Sequence, residues 1–71
     1  MKSLPYREVS RKLKAAGFVQ VGQTGSHVKF ARVTTEGVRT ATVPNHREVA
    51  SGTLRSILRQ AGITEAEFEA L

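Results

Sequence analysis

The amino-acid sequence predicts an α+β domain in which two helices cover one face of a three-stranded antiparallel sheet, in the order α-β-β-β-α. Three observations carry that prediction. Apolar residues recur at helical spacing near both ends, at Val9, Leu13 and Ala16 and at Leu54, Ile57, Leu58 and Ala61. Between them lie three stretches rich in β-branched and aromatic residues, joined by short turn clusters. The 71 residues suffice for one core but not for two, so residues 1–71 are read as a single domain.

The first helix is expected from about Pro5 to Ala16. Ser3 is its candidate cap, Pro5 falls in the first turn where a missing N–H costs little, and Gly17 closes it. Arg7, Arg11 and Lys14 are spaced four and three apart, which puts them in one basic ridge on the face opposite Val9 and Leu13. Phe18-Val19-Gln20-Val21 reads as a strand and Gly22 to Ser26 as a turn. The next strand, His27 to Arg32, alternates: Val28 and Phe30 share one face, His27, Lys29 and Ala31 the other. After the turn Thr34 to Gly37, the third strand runs from Val38 to Val43 and stops at Pro44, which cannot donate to a ladder. Arg39, Ala41 and Val43 share a face of it; Val38, Thr40 and Thr42 take the other. Short connections make the three strands an antiparallel meander. Asn45 to Ala50 is a loop, Ser51 the candidate cap of the second helix, and Gly62 its end. Thr64 and Glu67 have capping-box spacing, so a last short turn should dock Phe68 on the core.

Charge narrows the partners. Eleven Lys and Arg stand against six Glu, a net of +5, with no Asp, Cys or Trp. Glu65, Glu67 and Glu69 crowd the last residues, so residues 1–63 hold eleven bases against three acids, a net of +8. A polyanion, nucleic acid ahead of membrane, is the expected partner. Disulfides, a thiolate zinc site and a Ser-His-Asp triad are excluded by composition, and two His with scattered Glu serve metals poorly. No cofactor and no metal are expected. Met1-Lys2-Ser3-Leu4-Pro5 lacks the apolar run of a signal peptide, and no stretch is apolar enough to span a bilayer, so a cytoplasmic location is expected.

Only His27 and His46 offer proton transfer near neutral pH. His27 follows Gly25-Ser26 at the mouth of a turn, where the backbone lets a phosphate approach closely, and Lys29 lies on its face of the strand. This set suits cleavage of RNA by its own 2′-hydroxyl. A neutral imidazole removes the 2′-OH proton, the oxygen attacks the adjacent phosphorus, and cations and backbone N–H groups hold the charge that builds on the phosphoryl oxygens. A cationic neighbourhood favours the uncharged ring that a base requires. Gly25, Ser26 and Lys29 are the candidate stabilising groups; Arg7, Arg11, Lys14 and Arg55 are the candidate RNA-binding cations. His46 is a candidate auxiliary, either a second acid or a residue that fixes its loop. The same residues are compatible with plainer readings. A histidine on a polar strand face is often only solvated, and a basic surface also suits a non-catalytic RNA-binding module or a docking domain for an acidic protein.

Gly25-Ser26-His27-Val28-Lys29-Phe30 resembles the Gly-Ser-His-x-x-aromatic motif of the HicA (YcfA-like) mRNA interferase toxins. The resemblance continues through Val43-Pro44-Asn45-His46, Gly52 to Leu58 and Gln60-Ala61-Gly62-Ile63, and it extends to Lys14-Ala15-Ala16-Gly17-Phe18. It implies a fold like that of double-stranded-RNA-binding domains, metal-independent cleavage of mRNA that arrests translation, and a HicB-like antitoxin encoded by a neighbouring gene. It also implies that His27 is the catalytic histidine. Many members have a second histidine directly after the first, where this chain has Val28.

Overall fold

A computed structural model describes residues 1–71. The order is α1 (Tyr6–Ala15), β1 (Val19–Thr24), β2 (His27–Thr34), β3 (Gly37–Pro44), α2 (Ser51–Ala61) and α3 (Glu65–Glu69). The strands form one antiparallel sheet in the order β1-β2-β3. The expected α-β-β-β-α architecture is therefore present, with the last short turn realised as α3.

Parity along the strands decides what is buried. Val28 and Phe30 on β2 and Ala41 and Val43 on β3 point toward the helices and meet Val9 and Leu13 of α1 and Leu54, Ile57, Leu58 and Ala61 of α2. Phe18, Val49, Ile63 and Phe68 complete this core. α2 packs chiefly over β3. Its residue Gln60 reaches past the sheet margin, where its Oε1 accepts a 3.1 Å hydrogen bond from the Thr42 N–H. The opposite sheet face has no helix against it.

Arg32 continues the Val28-Phe30 parity and so lies on the helix-covered face, at the end of the sheet remote from His27. Its long stem allows a charge in that position. The Nη1 donates to the Ala16 carbonyl at 2.8 Å, and the guanidinium lies 5.0 Å from the centre of the Phe18 ring. The carbonyl end of α1 thus receives a cation, which its dipole favours.

Several local expectations are corrected. Ser3 does not cap α1: the N-cap is Pro5, without a side-chain hydrogen bond, and the Ser3 hydroxyl donates to Glu48 at 3.3 Å instead. Ser51 is the first residue of α2, whose N-cap is Ala50. β1 runs to Thr24 rather than stopping at Val21, because an irregularity between Gln20 and Gly22 absorbs one residue and lets the pairing continue. The turn is then only Gly25 and Ser26. Gly25, at φ +59°, takes the left-handed first position of a type II′ turn, while Ser26 keeps a negative φ. The loop 45–50 is tied down by a bridge between Leu4 and Val49, with hydrogen bonds of 3.1 and 2.7 Å. The Gly62 end of α2 (φ +72°) and the reciprocal Thr64–Glu67 capping box of α3 are as expected.

Candidate active site

His27 is the first residue of β2 and is exposed. Its Cα partners are Thr24 on β1 and Pro44 on β3, so the residue lies at the middle strand's tip, on the face the helices leave bare. Lys29 is next on that face, about 7 Å along the strand, between Gly22 and Thr42. The Gly25-Ser26 turn beside His27 is held from within by Gln23, whose Nε2 donates to the Gly25 carbonyl at 3.0 Å. It is held from outside by Asn45, whose N–H donates to the Ser26 carbonyl at 2.6 Å. A Cβ added at Gly25 would meet nothing within 4 Å. The turn is thus open to solvent on its outer side, where a bulky anion can come close.

His46 is also exposed, two residues past Pro44. The fold therefore brings both histidines to one end of the sheet through the Ser26–Asn45 bond and the His27–Pro44 pairing. The loop from Asn45 leads into α2, which begins with no side-chain cap and no acidic residue in its first turn. The amide groups of its first turn therefore receive no side-chain cap, and no acid within that turn faces the positive end of the helix dipole.

The helix-borne cations lie apart from this cluster. Arg7, Arg11 and Lys14 are exposed on α1, opposite buried Val9 and Leu13, as the spacing predicts. No hydrogen bond or ion pair joins them to His27 or Lys29. Arg11 is engaged by Glu8 through a 2.8 Å ion pair. That hydrogen bond, more than the Coulomb attraction accompanying it, holds the Glu8 carboxyl below its usual range and raises Arg11. Arg55 borders a shallow depression of about 180 Å³ with Leu58, Arg59, Ile63 and Glu65. The largest cavity, about 470 Å³, lies between Met1, Lys2, Leu4, Lys12, Phe68 and Glu69 and contains none of the candidate residues. Its Lys12 is already committed, donating to the Phe68 and Leu71 carbonyls at 3.0 and 3.3 Å. His and Glu side chains nowhere gather in threes that could hold a metal ion. No helix is long and apolar enough to cross a membrane.

Sequence reasoning missed the uncapped start of α2. The sequence sign of it is the absence of any acid between Val49 and Ile63; Ser51, a residue type preferred at caps, sits one position inside the helix. The pinning role of Asn45 was not legible, because it is a main-chain bond that any residue except proline could make.

The class is an α+β domain whose three-stranded antiparallel sheet has one face bare, with an exposed histidine and lysine on its central strand. Comparison with known sequences makes the assignment specific: the profile of the HicA toxin of bacterial toxin–antitoxin systems matches residues 6–63. The chain belongs to this family and is a toxin of a toxin–antitoxin pair, for which the family implies a cognate antitoxin. No curated protein matches it.

Proposed function

We propose that this toxin is a metal-independent endoribonuclease that cleaves mRNA in the cytoplasm and so arrests translation. The observation that carries the reading is the exposed His27, beside Lys29 and the open Gly25-Ser26 turn, in a chain of the HicA family. The family's reputation as mRNA-cleaving toxins supports it. His27 acts as the general base on a ribose 2′-hydroxyl. The 2′-oxygen then bonds to phosphorus as the bond to the 5′-oxygen breaks, and the departing 5′-oxygen takes a proton from solvent water, leaving a 2′,3′-cyclic phosphate and a 5′-hydroxyl. Lys29 and the N–H groups of the Gly25-Ser26 turn offset the charge that grows on the phosphoryl oxygens. A positioned base contributes ~10²–10⁴-fold, which suits a modest nuclease. Arg7, Arg11, Lys14 and Arg55 contribute sequence-independent attraction to the RNA backbone, and a HicB-like protein from the neighbouring gene neutralises the toxin.

Incubation of end-labelled single-stranded RNA with the purified protein tests the reading. Shorter fragments with cyclic phosphate ends should appear, should persist in EDTA, and should vanish for His27→Ala while RNA binding remains. Binding without fragments would leave the non-catalytic RNA-binding module as the correct description.

A further inference from the structure

Strand cleavage as proposed above needs a proton at the departing 5′-oxygen, and solvent water is a weak acid. The tip of the sheet offers a stronger one. His46 stands on the loop after β3, and other residues fasten that loop on both sides of it. The Asn45 N–H donates to the Ser26 carbonyl at 2.6 Å, the Ser3 hydroxyl donates to Glu48 at 3.3 Å, and Val49 bridges Leu4. The His46 ring takes no part in this. It is exposed, has no hydrogen-bond partner in the fold, and belongs to neither ion pair, Met1–Glu65 or Glu8–Arg11. Of the two roles that the sequence leaves open to His46, fixing its loop is already filled by its neighbours.

The backbone also limits its distance from His27. The path from His27 through the Ser26 carbonyl and the Asn45 N–H to His46 spans at most about 11 Å between the two Cα atoms. In an in-line displacement the attacking and departing oxygens stand on opposite sides of phosphorus. With a hydrogen bond of about 2.8 Å at each oxygen, a base and an acid serving one phosphate need their nitrogens roughly 6–9 Å apart. Two imidazoles carried this close together are able to flank a single phosphate. The other groups near the strand tip are poorer donors. Lys29 and Arg47 are exposed there, but ammonium and guanidinium groups hold their protons at neutral pH. The Ser26 hydroxyl is no stronger an acid than water. Glu48 is engaged by Ser3, and the first turn of α2 carries no acid. An imidazolium releases its proton readily in the neutral range.

We propose that His46 is the general acid of the cleavage, in place of solvent water. The inference rests on the nuclease reading above and adds one group to it. His27 takes the proton of the 2′-hydroxyl, and an electron pair of the 2′-oxygen forms the new bond to phosphorus. The bond from phosphorus to the 5′-oxygen breaks with its electron pair moving to that oxygen, which takes the ring N–H proton of the His46 imidazolium. His27 ends charged and His46 neutral, and proton exchange with solvent returns both rings to their starting states.

The test compares two RNA substrates that differ at one linkage, which carries either the ordinary 5′-oxygen or a bridging 5′-sulfur. The purified parent, His46→Ala, His46→Gln and His27→Ala are assayed on both. His46 is open to solvent, and circular dichroism checks that every variant folds. A departing thiolate needs no proton, because thiols are far stronger acids than alcohols. His46→Ala and His46→Gln should therefore cut the ordinary linkage ~10²–10⁴-fold more slowly than the parent, yet cut the sulfur linkage at nearly the parent's rate, with RNA affinity unchanged. His27→Ala should be slow on both. Parental cleavage of the ordinary linkage by His46→Ala would overturn the proposal. So would an equal loss on the two linkages, which would make His46 a binding residue, or recovery in His46→Gln, which would make it a positioning one. A parent that cuts neither linkage overturns the nuclease reading itself, whereas a parent matched on both by its His46 variants overturns the general acid alone.

Discussion

The Asn45 N–H donates to the Ser26 carbonyl at 2.6 Å, joining the turn that precedes His27 to the loop that carries His46. A main-chain bond of this kind holds two loops in register without using either side chain. The candidate base is therefore aimed by the backbone of a distant segment as well as by its own strand.

Asn45→Pro removes that donor. Pro44 already ends β3 in extended backbone, which a following proline tolerates. One lost hydrogen bond of about 1 kcal/mol should lower the melting temperature of a domain this size by roughly 4–8 °C. RNA cleavage should fall by a larger factor than stability accounts for. Amide chemical-shift changes confined to the segments around Ser26 and Asn45 would accompany it; changes spread through α1 would contradict the local role.

Lys29→Ala should reduce the cleavage rate ~10–100-fold, while Lys29→Arg keeps part of it, since in the proposed reaction the side chain offers charge to phosphoryl oxygens. RNA affinity, measured in parallel at fixed salt, should fall much less than the rate. Equal losses in both would reduce Lys29 to a backbone-binding cation.

Arg32→Met should destabilise the fold by about 1–3 kcal/mol, read from urea unfolding. The change strands the Ala16 carbonyl and removes the cation from the Phe18 ring. Arg32→Lys should recover only part of this, because an ammonium on a flexible stem does not stack as a planar guanidinium does. The cleavage rate of the folded fraction should be unaffected, as Arg32 lies on the face away from His27.

Glu67 sets a pH dependence. The Thr64 N–H donates to its Oε1 at 2.9 Å, and this bond, helped by the Thr64 side chain and the more distant charge of Arg32, holds its carboxyl below the usual range. A carboxyl depressed in the folded state contributes stability above its unfolded pKa, about 4.3, and loses it as pH falls through the lower folded value. Glu8, depressed by Arg11, adds in the same direction. Stability should therefore drop between pH 5 and pH 3, and Glu67→Gln should flatten part of that drop. Identical pH profiles for the two proteins would show that the capping box contributes no linkage.

Elements governed by side-chain periodicity were legible in the sequence. The Val28-Phe30 parity, the Leu54-Ile57-Leu58-Ala61 stripe and the Thr64–Glu67 spacing each correspond to one local geometry, and each is present. Features settled by competition between backbone partners were not. Ser3 was free to bond Glu48 instead of a helix end, and nothing in the order of residues ranks those choices. The parity that places Val28 and Phe30 inward also places Arg32 inward, where a charged side chain is ordinarily disfavoured. Only the nearby Ala16 carbonyl and Phe18 ring make the inward position favourable. For the candidate site, the face shared by His27 and Lys29 followed from alternation, whereas its distance from the α1 cations depended on which side of the sheet the helices chose.

A three-stranded sheet has two raw margins, and each is a template on which a foreign strand could polymerise. Gln60 occupies one amide in the middle of the β3 margin, so an incoming strand must first evict a helix side chain to zip along it. The polypeptide thus carries its own deterrent to fibril growth at the margin that α2 overhangs.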